Sequence, residues 1–166
     1  MKEDIVEVLV PCKQRTGLII LRFLFYLLAA AAAFLWFMGA GFVAFLIAAA
    51  LGIAGYYVGT FSFVEYEYAY CDKEIDIDVI YCQQKRKHLL TLDTGKIEAI
   101  VRVGGSKMKE YENRQQVVKK YDSGKKENAD KVYALMYDGT TEILMEPGER
   151  LLNTLSYVCP RKIYKD

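Results

Sequence analysis

The chain is poor in the residues that most often carry chemistry. It has one histidine, His88, in 166 residues, and its four cysteines (Cys12, Cys71, Cys82 and Cys159) include no C-x-x-C pair. Zinc-type ligand spacing is therefore excluded, and free thiols are the expectation. An excess of either charge is missing too: 22 basic side chains face 21 acidic ones, for a net charge of +1. No strong overall field draws the chain to nucleic acid. G-x-S-x-G is absent. Val103-Gly104-Gly105-Ser106-Lys107 lacks the spacing of a phosphate-binding loop and reads as a turn. Ser62, Ser106, Ser123 and Ser156 sit in no elbow-like context, and His88 lies between Lys87 and Leu89 with no nucleophile beside it. A nucleophile needs an adjacent base. No enzyme, cofactor or metal site is expected.

The largest absence is local. From Phe23 to Val64, 42 residues, there is no Asp, Glu, Lys, Arg or His. A signal peptide has an apolar core of only 7–15 residues, and one membrane span needs about 20. This run accommodates two spans, broken at Met38-Gly39-Ala40-Gly41, where two glycines supply a tight reversal. The reading is a cytoplasmic segment over 1–16, a two-helix hairpin over 17–61 (helices 17–37 and 42–60), and a domain over 62–166. Lys13 and Arg15 precede the first helix, and Arg22 in its first turns can snorkel to the interface. The loop between the helices carries no charge. Positive residues favour the cytoplasmic side, so the expectation is a two-span protein of the cell membrane with both termini cytoplasmic. Tyr56 and Tyr57, with Phe61 and Phe63, would lie at that interface.

Small residues recur on the second helix at Ala40, Ala44, Ala48 and Gly52, and Gly55 and Gly59 add a G-x-x-x-G. This spacing lets two backbones approach closely. It serves either packing within the hairpin or a homodimer through the second helix. No ion lies near the middle of either span, so a transport pathway is not expected.

The remaining 102 residues, Glu65 to Asp166, hold 18 acidic and 18 basic side chains, enough chain for a core of its own. Glu65–Tyr70 and Glu74–Tyr81 alternate apolar with acidic, the period of half-buried strands. A turn at Asp72-Lys73 sets Tyr66 against Val79, Tyr68 against Ile77 and Tyr70 against Ile75. Further strands read as 87–92, 96–103, 116–121, 132–137 and 142–145, separated by glycine- and aspartate-bearing turns. Pro147 and Glu149 suit a helix start. Leu151, Leu152, Leu155 and Val158 form one apolar stripe, and Pro160 stops it.

About seven strands and a C-terminal helix after a membrane hairpin make an α+β membrane protein. The hairpin feeding into E-Y-E-Y and E-I-D-I-D-V-I, then Q-K-R-K, M-E-P-G-E-R-L-L and P-R-K, resembles a family of small bacterial membrane proteins of unknown function. Their cytoplasmic domain is a pleckstrin-homology-like β-sandwich or barrel. The resemblance covers essentially the whole chain. It implies fold and location, and no activity, ligand or catalytic residue.

Two surfaces are candidates for binding. The basic cluster Lys85, Arg86, Lys87 and His88 lies at the turn expected to return toward the bilayer, where anionic headgroups attract each cation by about 1 kcal/mol. The acidic face comprises Glu65, Glu67, Glu74, Asp76 and Asp78, with Glu67 opposite Asp78 as a like-charge pair that needs neutralising. A flat strand face is a poor calcium site and a better docking face for a basic partner. Phosphoinositide-binding pleckstrin-homology domains use a basic loop between their first two strands. Here that loop reads as the acidic Cys71-Asp72-Lys73-Glu74. The functional expectation is a membrane-anchored, non-enzymatic binding or scaffolding module for a protein or peptide partner. The alternatives are anionic-lipid sensing through Lys85-Arg86-Lys87, or an accessory subunit of a larger membrane complex.

Overall fold

A computed structural model describes residues 5–111, 114, 116 and 117–164. Within the stretch 104–116, whose sequence specifies no firm element, Glu112, Asn113 and Gln115 lie outside the described residues. The ends of the N-terminal segment and of the domain, 1–4 and 165–166, do so too.

The chain forms two compact units. One contains α1 (Thr16–Phe37) and α2 (Phe42–Thr60), each long and apolar enough to cross a membrane. Between them Gly39 and Gly41 have φ of 94° and 83°, a region closed to most side chains. That is why the reversal falls where the two glycines stand. The turn Tyr81–Lys85 belongs to this same unit.

The other unit holds two sheets and a helix. The first sheet has the order β1 (Val6–Pro11), β2 (Val64–Cys71), β3 (Glu74–Tyr81), β4 (Lys85–Asp93). The second sheet also contains β5 (Ile97–Arg102), β6 (Val117–Lys120), β7 (Tyr133–Tyr137), β8 (Thr141–Met145) and β9 (Ile163–Tyr164), in the order β6-β8-β7-β5-β9. Helix α3 (Gly148–Val158) buries Leu151, Leu152 and Leu155 in the core formed with both sheets. Tyr68, Ile75, Ile77, Ile100, Leu135 and Ile143 are fully buried there. A smaller apolar cluster of Ala99, Val101, Ala134 and Met136 is joined by Met108 from a short 3₁₀ segment.

The β2–β3 connection is the two-residue turn expected from the sequence. Asp72 and Lys73 have φ of 44° and 68°, the left-handed pair of a type I′ hairpin turn. The amide of Cys82 donates to Phe63 O at 2.9 Å. Both features agree with the register that sets Tyr68 against Ile77.

One correction concerns strand count and order. About seven strands, all after the hairpin, are expected from the sequence; nine are present among the described residues, and β1 precedes the hairpin. β1 pairs antiparallel with β2, Val6 against Tyr70 through Pro11 against Glu65. The domain drawn from residue 62 onward thus takes a strand from the N-terminal segment 1–16. Val6, Val8 and Val10 alternate with Glu7 and Leu9, but over six residues ending in proline the signal is short. The consequence is topological. The loop between the first two strands of the fold is not Cys71-Asp72-Lys73-Glu74 but the apolar hairpin itself.

Candidate functional site

The charged surface of the first sheet is built by alternation. Tyr66, Tyr68 and Tyr70 of β2 and Ile75 and Ile77 of β3 go to the core, so Glu67, Asp76 and Asp78 share the opposite face. Next to β3, β4 supplies the countercharge. Arg86 Nη2 pairs with Glu67 Oε2, and its Nε lies 3.8 Å from Asp78 Oδ2. His88 Nδ1 lies 2.8 Å from Asp78 Oδ1, and His88 Nε2 lies 3.2 Å from Thr91 Oγ1. The Thr91 hydroxyl donates to Asp76 Oδ1 at 2.5 Å. Six side chains from three strands thus form one connected network.

Asp78, His88 and Thr91 have the order orienter, base, hydroxyl. The hydroxyl proton, however, is directed at Asp76, and both His88 and Thr91 are exposed. The array is a neutralised charged surface. Glu67 is only 5% exposed, because Arg86 covers it. The like-charge pair read from the sequence is present, and the neighbour that compensates it is Arg86.

Of the basic cluster, Arg86 and His88 are therefore engaged by carboxylates of their own sheet. Lys87 is exposed and makes no ion pair among the described residues. Lys85 belongs to the helical unit. There the Cys82 thiol donates to Gly59 O at 3.4 Å, and the Phe61 and Tyr81 rings meet edge-on at 5.5 Å. Ser62 Oγ donates to Val58 O at 3.1 Å, and Thr60 Oγ1 to Tyr56 O at 3.2 Å. Of these acceptors, Val58 O and Gly59 O belong to the last turn of α2, whose carbonyls lack i+4 partners within the helix.

At this end of the hairpin Arg15 is exposed just before α1. Arg22 is half-buried, with its guanidinium 5.5 Å from the centre of the Tyr26 ring. Tyr56 and Tyr57 are exposed and contact each other edge-to-face at 5.8 Å. Along α2, Ala44, Ala48 and Gly52 are half-buried, and Gly55 and Gly59 are buried. A Cβ on Gly55 would lie 2.9 Å from the Tyr26 ring, and one on Gly59 2.9 Å from Arg22 Cδ. The G-x-x-x-G face is occupied by α1 of the same chain.

A second polar cluster left no sequence signal. Glu146, 6% exposed, accepts from Ser123 N at 2.8 Å, from Ser123 Oγ, and from Asn128 Nδ2 at 3.1 Å. Lys13 N donates to Ser123 O at 2.7 Å. The Tyr68 hydroxyl, buried, donates to Tyr121 O. Burial first, then the charges of Asp122 and Glu146, pushes the Cys12 thiol up to about 11. With both oxygens of Glu146 accepting hydrogen bonds, this cluster fastens the stretch 121–131 to the exits of β1 and β8. Among the described residues no group of three or more His, Cys, Asp or Glu side chains is arranged to hold a metal ion.

No curated protein and no solved structure matches the chain. A family model does, over residues 2–165, and its description is Bacterial PH-like domain (DUF6106). Two sheets closed by a C-terminal helix, with two apolar helices ahead of β2, agree with that description, and the chain belongs to this family of unknown function.

Proposed function

We propose that the chain is a membrane-anchored, non-enzymatic binding module. Its hairpin crosses the membrane twice, both termini are cytoplasmic, and the PH-like domain docks a protein or peptide there. The observation that carries this reading is the insertion of an apolar two-helix hairpin between β1 and β2, two strands hydrogen-bonded to each other. An anchor at a chain end leaves a domain swinging on one linker. An anchor inside a sheet ties it by two, residues 12–15 and 61–63. PH-like domains are typically binding modules, and commitment of the Thr91 hydroxyl to Asp76 argues against a nucleophile at the one histidine.

The test is cross-linking and affinity capture of the full chain from native membranes, beside a chimaera with an unrelated two-span anchor. A partner retained by both supports a docking domain. A partner lost with the native hairpin shifts the reading to an accessory subunit of a membrane complex. No partner above the level of an anchor alone overturns the reading. Labelling of Lys165-side tags only from outside the cell overturns the orientation.

A second reading, contact with anionic headgroups, is favoured by one feature. The turn carrying Cys82 is hydrogen-bonded to the end of α2, so Lys85 joins Arg15 in the helical unit. With Arg86 and His88 held by carboxylates, the contact falls to Lys85 and Arg15 of that unit. A homodimer through α2 would have to use a face other than the one Gly55 and Gly59 present to α1.

A further inference from the structure

The edge of the second sheet presents an unusual strand. β6, Val117-Val118-Lys119-Lys120, pairs in parallel with β8 and is the last strand in the sheet order. All four of its residues are exposed, Val117 by 63% and Val118 by 49%. Side chains alternate across a sheet, so each face of β6 shows one valine and one lysine. Among the described residues no strand pairs with its outer edge, and its four side chains keep much of their surface in water.

Hydrogen-bond parity shows what the edge offers. Val117 N donates to Thr140 O and Tyr121 N to Leu144 O, both at 2.9 Å. In a parallel ladder the inward amides recur at every second residue. The N–H and C=O groups of Val118 and Lys120 therefore point away from the sheet, in the geometry that accepts one more strand.

The charge selects the occupant. Residues 114–126 hold five basic side chains, Arg114, Lys119, Lys120, Lys125 and Lys126, against one acidic, Asp122. Arg114 is paired with Glu98. Lys119 and Lys120 make no ion pair among the described residues. Pairing of β6 with β6 of a second copy would gather four lysines and no carboxylate on one ribbon, which like-charge repulsion opposes. A partner strand with valine-like and carboxylate side chains in alternation covers both valines and neutralises both lysines.

We infer that the outer edge of β6 is a docking site for an extended acidic segment of a partner protein, which adds to the second sheet as a strand through Val118 and Lys120. This inference rests on the binding-module reading and names its surface. Four residues at β spacing span about 13 Å, so the contact is short. The lysines make it salt-sensitive.

The experiment uses the full chain in neutral-lipid nanodiscs and two labelled eight-residue probes, alternating valine–glutamate and alternating valine–lysine, read by fluorescence anisotropy. The glutamate probe is expected to bind at least ten-fold more tightly than the lysine probe, and to weaken several-fold between 50 and 300 mM salt. Val118→Pro removes an amide that β8 does not use, so the sheet keeps its ladder while the edge loses its donor. Binding should fall at least ten-fold. The double variant Lys119→Glu, Lys120→Glu should reverse the preference. A glutamate probe N-methylated at alternate amides tests the same bonds on unaltered protein and should also fail to bind.

Equal binding of the two probes, or binding that Val118→Pro and N-methylation leave unchanged, overturns the assignment. So does absence of binding by either probe. In each case the binding-module reading survives if cross-linking in native membranes still finds a partner, and that partner is then held by another surface.

Discussion

Arg86 reaches from β4 across β3 to pair with Glu67 on β2, passing 3.8 Å from Asp78 on the way. One guanidinium thus answers two carboxylates that the β2–β3 register sets opposite each other. The Arg86 side chain is 57% exposed, whereas that of Glu67 is 6% exposed. Arg86→Met should strand a nearly buried carboxylate next to a second one. Breaking a fully buried pair costs about 3–5 kcal/mol; with one partner in water the expected loss is about 1–3 kcal/mol. Adding Glu67→Gln should recover most of it. A denaturant titration of the four members of the double-mutant cycle measures the coupling. Additive losses would mean that the two side chains act independently.

Glu146 is the hub of the other buried polar cluster. Its carboxylate takes three hydrogen bonds from Ser123 and Asn128, more than 15 residues earlier in the chain. Glu146→Ala leaves the buried Ser123 amide without its acceptor, at about 1–3 kcal/mol for the unsatisfied donor and more for the lost charged bonds. Glu146→Gln keeps an oxygen for the amide and should cost less. Hydrogen exchange is the direct readout: Ser123 N–H and the following turn should lose protection in Glu146→Ala while β7 keeps its own.

How far these features are legible in the sequence depends on the range of the interactions behind them. The helices Thr16–Phe37 and Phe42–Thr60 fall within a residue of their expected ends, because an ionless run and two glycines are local signals. The β2–β3 hairpin is legible for the same reason, through alternation and a two-residue turn. β1 is not, because six residues closed by Pro11 become a strand only when β2, more than 50 residues later, supplies the partner. Alternation places Glu67 on its face, whereas its cover by Arg86 depends on the pairing of β4 beside β3. The Glu146 cluster left no pattern at all, since its donors come from the separate stretch 121–131.

The hairpin makes a prediction by contrast between neighbouring glycines. A Cβ on Gly59 would lie within 3.0 Å of three Arg22 atoms, and one on Gly55 3.2 Å from Phe25 Cβ as well as close to the Tyr26 ring. Gly52 has nothing within 4 Å. Gly52→Ala should therefore be neutral, whereas Gly55→Leu and Gly59→Leu should force the helices apart and destabilise the hairpin by about 1–3 kcal/mol. Gly59→Ala should be milder than Gly59→Leu, because the Arg22 side chain can move. Cysteine cross-linking yield between facing positions on α1 and α2, in nanodiscs, reports the separation. Equal effects at all three glycines would show that close approach is not what Gly55 and Gly59 supply.

Cys12 gives the pH prediction. Its thiol is raised from 9.0 to about 11, first by burial and then by Asp122 and Glu146. The folded state therefore holds this proton more tightly than the unfolded chain, so its contribution to stability is complete below pH 9. As pH rises from about 9 to about 11 the unfolded state loses the proton first, and this contribution is progressively lost. Alkylation follows the thiolate. In a variant retaining only Cys12, the iodoacetamide rate should still be climbing at pH 10, reach half its maximum near pH 11, and level off only above that. Glu146→Gln removes one of the opposing charges and should move that plateau to lower pH. A rate already half-maximal at pH 9 would show that the thiol is open to water and that the β1 exit is not packed against the 121–131 stretch.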